Sequence, residues 1–488
     1  MRGRGRPWIL AACIILGLLV ITIGPCAVTG FEQRRAVRDM LQRLESEGKP
    51  TSLAEMIPPL VPEEDNAAGL YLQFAELTQP HELISPDPAV PLGLLYNSQP
   101  VSYDNMDPGE EAHLVYMGAM IRQDTAAFEL MDDATGREHC RFDVNWEEGA
   151  GALFPHLAKL RHNARVLSTA SMVASHEGDQ ALALKRLRQG FVLSRHVAAE
   201  PTTIAQLVTY AIDAIMLRAA EYVVYQGDLP KPQVKELVGE LQRTDRFDLE
   251  RALRWERALG IWVYDQLRED PAQAAQMIGF QDGDVPRAII MRLSSNQLSP
   301  LIWADEAGYL QALGRLERVI GQPWRESYQS CGSYESRPGT LGGLIEHGYL
   351  PSTMLLPLMT RTITKRDNTL ARRALLQTAL GLRIYKQRHG EYAETLSELE
   401  QLNWPPCTDV YSGKPLVYRR KGDRFLLYSI GPDLNDDRGR PIYWLLRAPG
   451  ASGTYESVGG VDVDAGDIPW IWWDDREAVR AGRRPARP

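Results

Sequence analysis

The residues with the clearest capacity for chemistry lie in the turn Gly431-Pro432-Asp433-Leu434-Asn435-Asp436-Asp437-Arg438-Gly439, where Asp433, Asn435 and Asp437 alternate. Alternating side-chain oxygens, supplemented by backbone carbonyls, are what a hard cation such as calcium takes from a single loop. An EF-hand is excluded, because Arg438 stands where that loop requires glycine and Trp444 stands where its bidentate glutamate would be. The competing reading is a solvated acidic turn, and the residues alone leave both open. Asp462, Asp464 and Asp467 form a second acidic cluster with fewer donors at useful spacing.

Other candidate groups are scattered. His139-Cys140 is one adjacent pair of metal-ligand types, but no second pair stands at ligand spacing. His156, His162, His176 and His196 follow no HExxH pattern. Surface or hydrogen-bonded core histidines are the expectation. The chain contains no GxSxG, GxxxxGK[ST] or GxGxxG motif, so hydrolase and nucleotide-binding readings lose their simplest support. Glu250, Glu256 and Asp265 share a helical run with Trp255 and Trp262. A carboxylate against an aromatic wall can be raised into the range of acid catalysis. The plainer expectation is that Glu256 and Asp265 pair with Arg251, Arg257 or Arg268 along the helix. Trp470, Trp472 and Trp473 suit a membrane interface or, more simply, a last strand packed on a C-terminal sheet.

These groups must be positioned by a chain of 488 residues, beyond the size at which one core stops growing, so two or three packed units are expected. Apolar residues make up 44% and charged residues 24%, an ordinary globular composition. The mean hydropathy of -0.28 excludes a polytopic membrane protein. A net charge of -9 supplies no diffuse basic field, so nucleic acid is not an expected partner. Of five cysteines, Cys13 and Cys26 fall in or beside the apolar N-terminus, which leaves Cys140, Cys331 and Cys407; no CxxC occurs, and spacing cannot select a disulfide pair.

Arg2, Arg4 and Arg6 precede an uncharged run from Trp8 to Gly30, long enough at about 1.5 Å per residue to cross a hydrocarbon core of roughly 30 Å. The expectation is a single-pass inner-membrane anchor with its N-terminus in the cytoplasm and the bulk of the chain extracytoplasmic. Arg34, Arg35 and Arg38 weaken the charge asymmetry. A cleaved signal is the main alternative, with Pro25, Ala27 and Gly30 near a processing site. A lipid-modified Cys26 is disfavoured by Pro25 directly before it.

Beyond the anchor, Val37, Met40, Leu41 and Leu44 recur at helical spacing and Gly48 and Pro50 close the run, a short stalk helix. A second helix runs through Asn66-Ala67-Ala68 to Leu77, followed by a proline-punctuated segment. From about Glu110 the pattern is helical. Glu177-Gly178-Asp179 divides a helix at Leu160 to Ala174 from one carrying Leu184, Leu187 and Phe191, an antiparallel hairpin of tetratricopeptide type without a convincing repeat. Thr202 or Thr203 caps the next helix, whose Ile204 to Ala219 stretch is apolar on more than one face. Gln206, Asp213 and Arg218 interrupt it, and charges near a bilayer centre cost roughly 2.5–3.5 kcal/mol each, so it reads as core and not as a second span.

The last part of the chain has a distinct order. A helix from about Asn368 to His389 leads into Tyr385-x3-His389-Gly390-x-Tyr392, then the turn Leu396-Ser397-Glu398-Leu399. Tyr411-Ser412-Gly413-Lys414-Pro415-Leu416-x-Tyr418 and Leu427-Tyr428-Ser429-Ile430-Gly431-Pro432-Asp433 complete it, with strand-like runs meeting at Lys421-Gly422-Asp423. This order, over about residues 368–440, resembles the C-terminal domain of the major pseudopilin of type II secretion. In that family the corresponding acidic loop binds calcium, so the resemblance implies calcium ligands at Asp433, Asn435, Asp436 and Asp437. Two departures are evident. A pseudopilin's processed apolar helix leads directly into this domain, whereas a long helical region intervenes here, and Ala393 stands where the family usually has proline. The whole chain looks like a group of large anchored bacterial envelope proteins.

The expected fold is mostly α: an N-terminal transmembrane helix, an α-helical bundle and a small α+β pseudopilin-like C-terminal module. The expected organisation is a basic cytoplasmic N-terminus (1–7), a transmembrane anchor (8–30), a stalk helix and Pro-rich linker (31–109), an α-helical domain (110–320), a linker (321–365), the α+β module (366–475) and a disordered tail (476–488). Together they point to a non-enzymatic extracytoplasmic interaction or scaffold protein with an envelope protein as partner, linked to secretion or pilus-like machinery. The alternatives are an enzyme with a site between bundle helices, which buried carboxylates and histidines around one apolar pocket would favour, and a ligand-binding protein, which a closed apolar pocket would favour.

Overall fold

A computed structural model describes residues 30–78, 118–119, 121–243, 249–270, 300–320, 351–404, 408–439 and 468–470. The apolar run up to residue 29, the proline-punctuated segment at 79–117, residues 321–350, the second acidic cluster, Trp472, Trp473, four of the cysteines and the tail lie outside these. Among the described residues the chain is mostly helical, with one small sheet. None of these helices is long and apolar enough to cross a membrane.

The helices are α1 (30–46), α2 (Ala68–Leu77), α3 (Ala127–Gly136), α4 (His156–His176), α5 (Gln180–Val197), α6 (Thr203–Tyr225), α7 (Lys231–Leu241), α8 (Leu249–Glu269), α9 (Pro300–Val319) and α10 (Pro351–His389). The hairpin read from Glu177-Gly178-Asp179 is present as α4 and α5. Gly178 takes φ +89°, a conformation that costs glycine nothing, and the Asp179 carboxylate caps α5 by accepting from the Leu182 N–H at 2.9 Å. Thr202 is the cap of α6, its hydroxyl accepting from the Ala205 N–H at 3.1 Å. Helices α4, α5 and α6 pack mutually, and α10 lies along α6, α7, α8 and α9. The apolar α6 is therefore a central core helix. Of its interrupting groups, Gln206 donates to the Ala198 carbonyl at 3.1 Å, and Asp213, wholly buried, meets Arg373 of α10 at 2.8 Å.

The sequence ended its linker at residue 365 and began its C-terminal helix near Asn368. Instead α10 is one 39-residue helix that starts at Pro351, inside that linker, and ends at His389. It packs on the bundle helices, on the sheet and on a 3-10 turn at Leu396–Leu402, where Thr395 and Glu398 form a capping box. Strands β1 (Val417–Lys421) and β2 (Arg424–Ser429) form the expected hairpin, with Val417 opposite Tyr428. Strand β3 (Ile468–Pro469) pairs antiparallel with β2. Trp470 is buried beside it, its backbone N–H donating to the Leu427 carbonyl at 2.8 Å, the packing role expected of this residue. One contiguous apolar core runs from Val37 through the bundle to Phe425 and Trp470.

The segment read as a stalk is tied to that core. Val37 is buried, Arg34 lies 5.6 Å from the Trp303 ring centre, Lys49 pairs with Glu317 at 3.2 Å, and Arg257 donates to the Pro50 carbonyl at 3.3 Å. Asn66 explains the Asn-Ala-Ala segment. Its amide donates to the Arg141 carbonyl at 2.8 Å while its Oδ1 accepts from the N–H groups of Arg141 at 2.8 Å and Ala68 at 3.1 Å. One side chain thus starts α2 and fixes the strand-like segment 139–141 beside it.

Candidate functional site

The four predicted calcium ligands lie in one turn. Asp433 Oδ1 accepts from the Asn435 N–H at 3.1 Å, and Asp436 Oδ1 accepts from the Tyr428 hydroxyl at 2.8 Å and the Arg438 N–H at 2.9 Å. The Tyr428 hydroxyl is the main reason the Asp436 carboxyl sits below the usual carboxylate range, with the Arg438 N–H next. Leu434 and Arg438 take φ +60°. Two of the carboxylates therefore shape the turn itself. No group of three or more His, Cys, Asp or Glu side chains stands together as a metal site among the described residues.

The carboxylate that organises the module was not singled out by sequence. Asp409 is buried and accepts from the hydroxyls of Ser429 at 2.6 Å and Ser412 at 2.7 Å and from the Tyr411 N–H at 3.2 Å. It joins the 408–414 turn to the end of β2. An isolated aspartate in a polar turn carries no pattern that distinguishes this role.

Of the bundle histidines, His176 is exposed, whereas His156, His162 and His196 are buried and hydrogen-bonded, His196 through Nδ1. His156 Nε2 and Glu200 Oε1 are 2.7 Å apart, with the His156 ring stacked on Phe142 at 4.2 Å; His162 bonds to Thr78, and His196 Nδ1 lies 2.8 Å from the Tyr71 hydroxyl. Asp265 pairs with Arg268 at 2.5 Å, as anticipated. Glu256 does not pair along its own helix. It is buried against the N-terminus of α6, taking hydrogen bonds from the Thr203 hydroxyl and N–H, and burial pushes it up to about 7 despite them. Its position is that of a carboxylate cap on a neighbouring helix.

One cleft brings together groups that no spacing connects. Pro58, Pro59 and Val61, the segment Glu138-His139-Cys140-Arg141, the α5 end with Arg195, His196, Ala198 and Ala199, Arg243 after α7, and Arg251 in the first turns of α8 line a cavity of about 360 Å³. It is open to solvent and more polar than apolar. Four guanidiniums face one carboxylate in the lining, Glu138, while Glu240 stands behind Arg195 at 3.3 Å. Arg141 Nε donates to the Pro58 carbonyl at 3.1 Å, and Arg251 Nη2 donates to the Ala198 carbonyl at 2.5 Å. Both bonds run to backbone carbonyls.

His196 and Cys140 are further polar groups of the lining. Burial, then Arg195, holds the His196 imidazole down at about 3. The Arg137 carbonyl pulls the other way, and among the described residues the buried Nε2 is left without a full hydrogen bond. Burial, then Glu200, pushes the Cys140 thiol well above its ordinary range, and burial does the same to the Tyr71 phenol. A protonated thiol is a poor nucleophile. The arrangement is suited to holding an anion rather than to attacking a substrate.

The chain matches no protein-family model, no curated protein and no solved structure.

Proposed function

We propose that this chain is a membrane-tethered, extracytoplasmic interaction protein whose body presents the C-terminal module to an envelope partner in secretion or pilus-like machinery. The observation that carries this reading is α10, a single helix that packs on both the bundle helices and the sheet. A helix of 39 residues is about 58 Å long. It makes bundle and module one body, so that a partner docked on the module would act on the tether without slack. The buried Asp213–Arg373 pair supports the same reading, since Arg373 also donates to the carbonyls of Glu240 and Leu241 at 3.1 and 2.9 Å.

The pseudopilin-like reading of residues 368–440 and the calcium reading of Asp433, Asn435, Asp436 and Asp437 belong to this proposal. The experiment is carbonate extraction of membranes combined with protease treatment of spheroplasts containing the full chain. Retention in the membrane with cleavage from outside is expected; a carbonate-soluble or externally protected chain would refute the tethered orientation. Calcium calorimetry on the full chain, with Asp433→Ala/Asp437→Ala as control, tests the ion: a saturable heat absent from the variant is expected, and equal heats would remove calcium from the proposal.

A further inference from the structure

We infer that segment 57–62, Ile57-Pro58-Pro59-Leu60-Val61-Pro62, is a docking ridge for a partner protein that carries an aromatic-lined groove with basic residues beside it. The contact lies beside the arginine-lined cleft, apart from the C-terminal module, and does not rest on the tethering proposal.

The backbone is already in the shape such a groove takes. Pro58, Pro59 and Pro62 fix their own φ at about −65°. Ile57 sits at φ −64°, ψ 123° and Pro62 at φ −55°, ψ 144°, both in the polyproline II region, and no turn or bend interrupts 58–62. Short 3-10 turns at Leu53–Met56 and Glu63–Asp65 close the segment at either end. Arg141 Nε donates to the Pro58 carbonyl at 3.1 Å, and Arg137 Nη1 donates to the Glu63 carbonyl at 2.6 Å. The ridge is held in shape before any partner arrives, so docking orders little chain.

Its outward edges match the same occupant. A polyproline II helix repeats every three residues, which sets Pro58 and Val61 on one edge and Pro59 and Pro62 on another. The first pair is half-buried against the cleft; the second is exposed, and Leu60 beside it is 83% exposed. Among the described residues the backbone groups of Pro59, Leu60 and Val61 make no hydrogen bond, so their carbonyls face donors outside the chain. A single exposed leucine needs no explanation. Exposed prolines at i and i+3 on a chain fixed in this conformation are what aromatic grooves recognise, the rings slotting between indole or phenol faces. The exposed Glu63, Glu64 and Asp65 follow directly and call for lysine or arginine beside the groove. A second copy of the chain offers no such groove among the described residues, where Phe31 is the one aromatic of the strongly exposed large apolar side chains.

The test is photocrosslinking from benzoylphenylalanine placed at Leu60 of the full chain, in the cells that make it, with Leu153, 78% exposed, as the control position. One discrete protein adduct is expected from position 60 and not from 153. Mass spectrometry should map the crosslink to a partner segment bearing tryptophan or tyrosine with lysine or arginine beside it. Pro59→Ala/Pro62→Ala should lower the adduct about tenfold by releasing the ridge and removing both rings. A synthetic peptide of residues 57–65 should compete for the partner in solubilised membranes, and the same peptide with both alanines should not. Competition uses the unaltered chain, so it reads binding whether or not the double variant folds. Absence of an adduct would overturn the inference, as would an adduct that persists in the double variant or resists the peptide. An adduct of twice the chain's mass would assign the ridge to self-association, and a crosslink landing away from aromatic side chains would remove the groove.

Discussion

The acidic turn and the arginine-lined cleft are built in opposite ways. Asp433 and Asp436 accept hydrogen bonds from N–H groups two residues away, and the one partner from outside the turn, the Tyr428 hydroxyl on Asp436, comes from the adjoining strand. The cleft draws Arg141, Arg195, Arg243 and Arg251 from four segments, each oriented by the bundle. A site made by local bonds can survive changes elsewhere, whereas one made by convergence depends on every helix that carries a member. The same contrast separates the exposed Lys386–Asp423 pair at the hairpin from the buried Asp213–Arg373 pair in the bundle. Exposed pairs contribute about 0–1 kcal/mol, whereas breaking a buried one strands a charge.

The largest test of that contrast is Arg373→Ala. It leaves Asp213 buried without its partner and deprives two α7 carbonyls of a donor, and should cost about 3–5 kcal/mol in denaturant unfolding. The double change Asp213→Leu/Arg373→Met should recover most of this. A single-variant cost below about 1 kcal/mol would show that α10 does not lock the bundle to the module.

Next in size is the pH dependence of Glu256. Its folded value of about 7 lies above the unfolded 4.5, so the folded state holds its proton more tightly. That stability is fully present below about 4.5 and is lost as pH rises through about 7, a change of about 3 kcal/mol at most. Thermal melts from pH 4.5 to 8 should show this loss in the wild type and not in Glu256→Gln. Parallel curves would mean that the buried cap stays ionised throughout.

A smaller effect is expected at Gly260. An added Cβ would overlap the ring of Tyr309, whose hydroxyl donates to the Glu256 carbonyl at 2.7 Å. Gly260→Ala should therefore destabilise by about 1–3 kcal/mol by forcing α8 and α9 apart, although alanine is the better helix former. A stabilised variant would show that this contact yields freely.

Least affected should be Asp436→Asn. Its carboxyl is exposed, and an amide oxygen can still accept from the Tyr428 hydroxyl and the Arg438 N–H, so the loss at neutral pH should be no more than about 0.5 kcal/mol. Because its pKa is lowered on folding, even that contribution should vanish as pH falls below the carboxylate range. A loss comparable to that of Arg373→Ala would erase the distinction between the two regions.

The sequence by itself determined the elements whose signals are local. The α4–α5 hairpin followed from Gly178 and Asp179, the end of α10 from His389-Gly390, and the β1–β2 hairpin from two apolar runs around Gly422-Asp423. Turn and cap chemistry acts over a few residues and is written in adjacent letters. Asp265 with Arg268, three residues apart on one helix face, was legible for the same reason. The start of α10 was missed because Pro351 is also a good first helical residue and the preceding Gly- and Ser-rich stretch suggested a linker.

Only the tertiary structure decided which distant side chains meet. Glu256 was expected beside an arginine of its own helix and instead caps α6, because burying Trp255 and Ala258 turns that face of α8 toward Thr203. Asp213 looked like an interruption in an apolar helix until Arg373, far along the chain, was placed opposite it. The four cleft arginines carry no shared spacing, since helix packing and the Asn66 strut set their convergence. Local propensity acts within one turn of chain, whereas burial of apolar faces fixes the approach of whole helices, and it is that approach which assembles both the lock and the cleft.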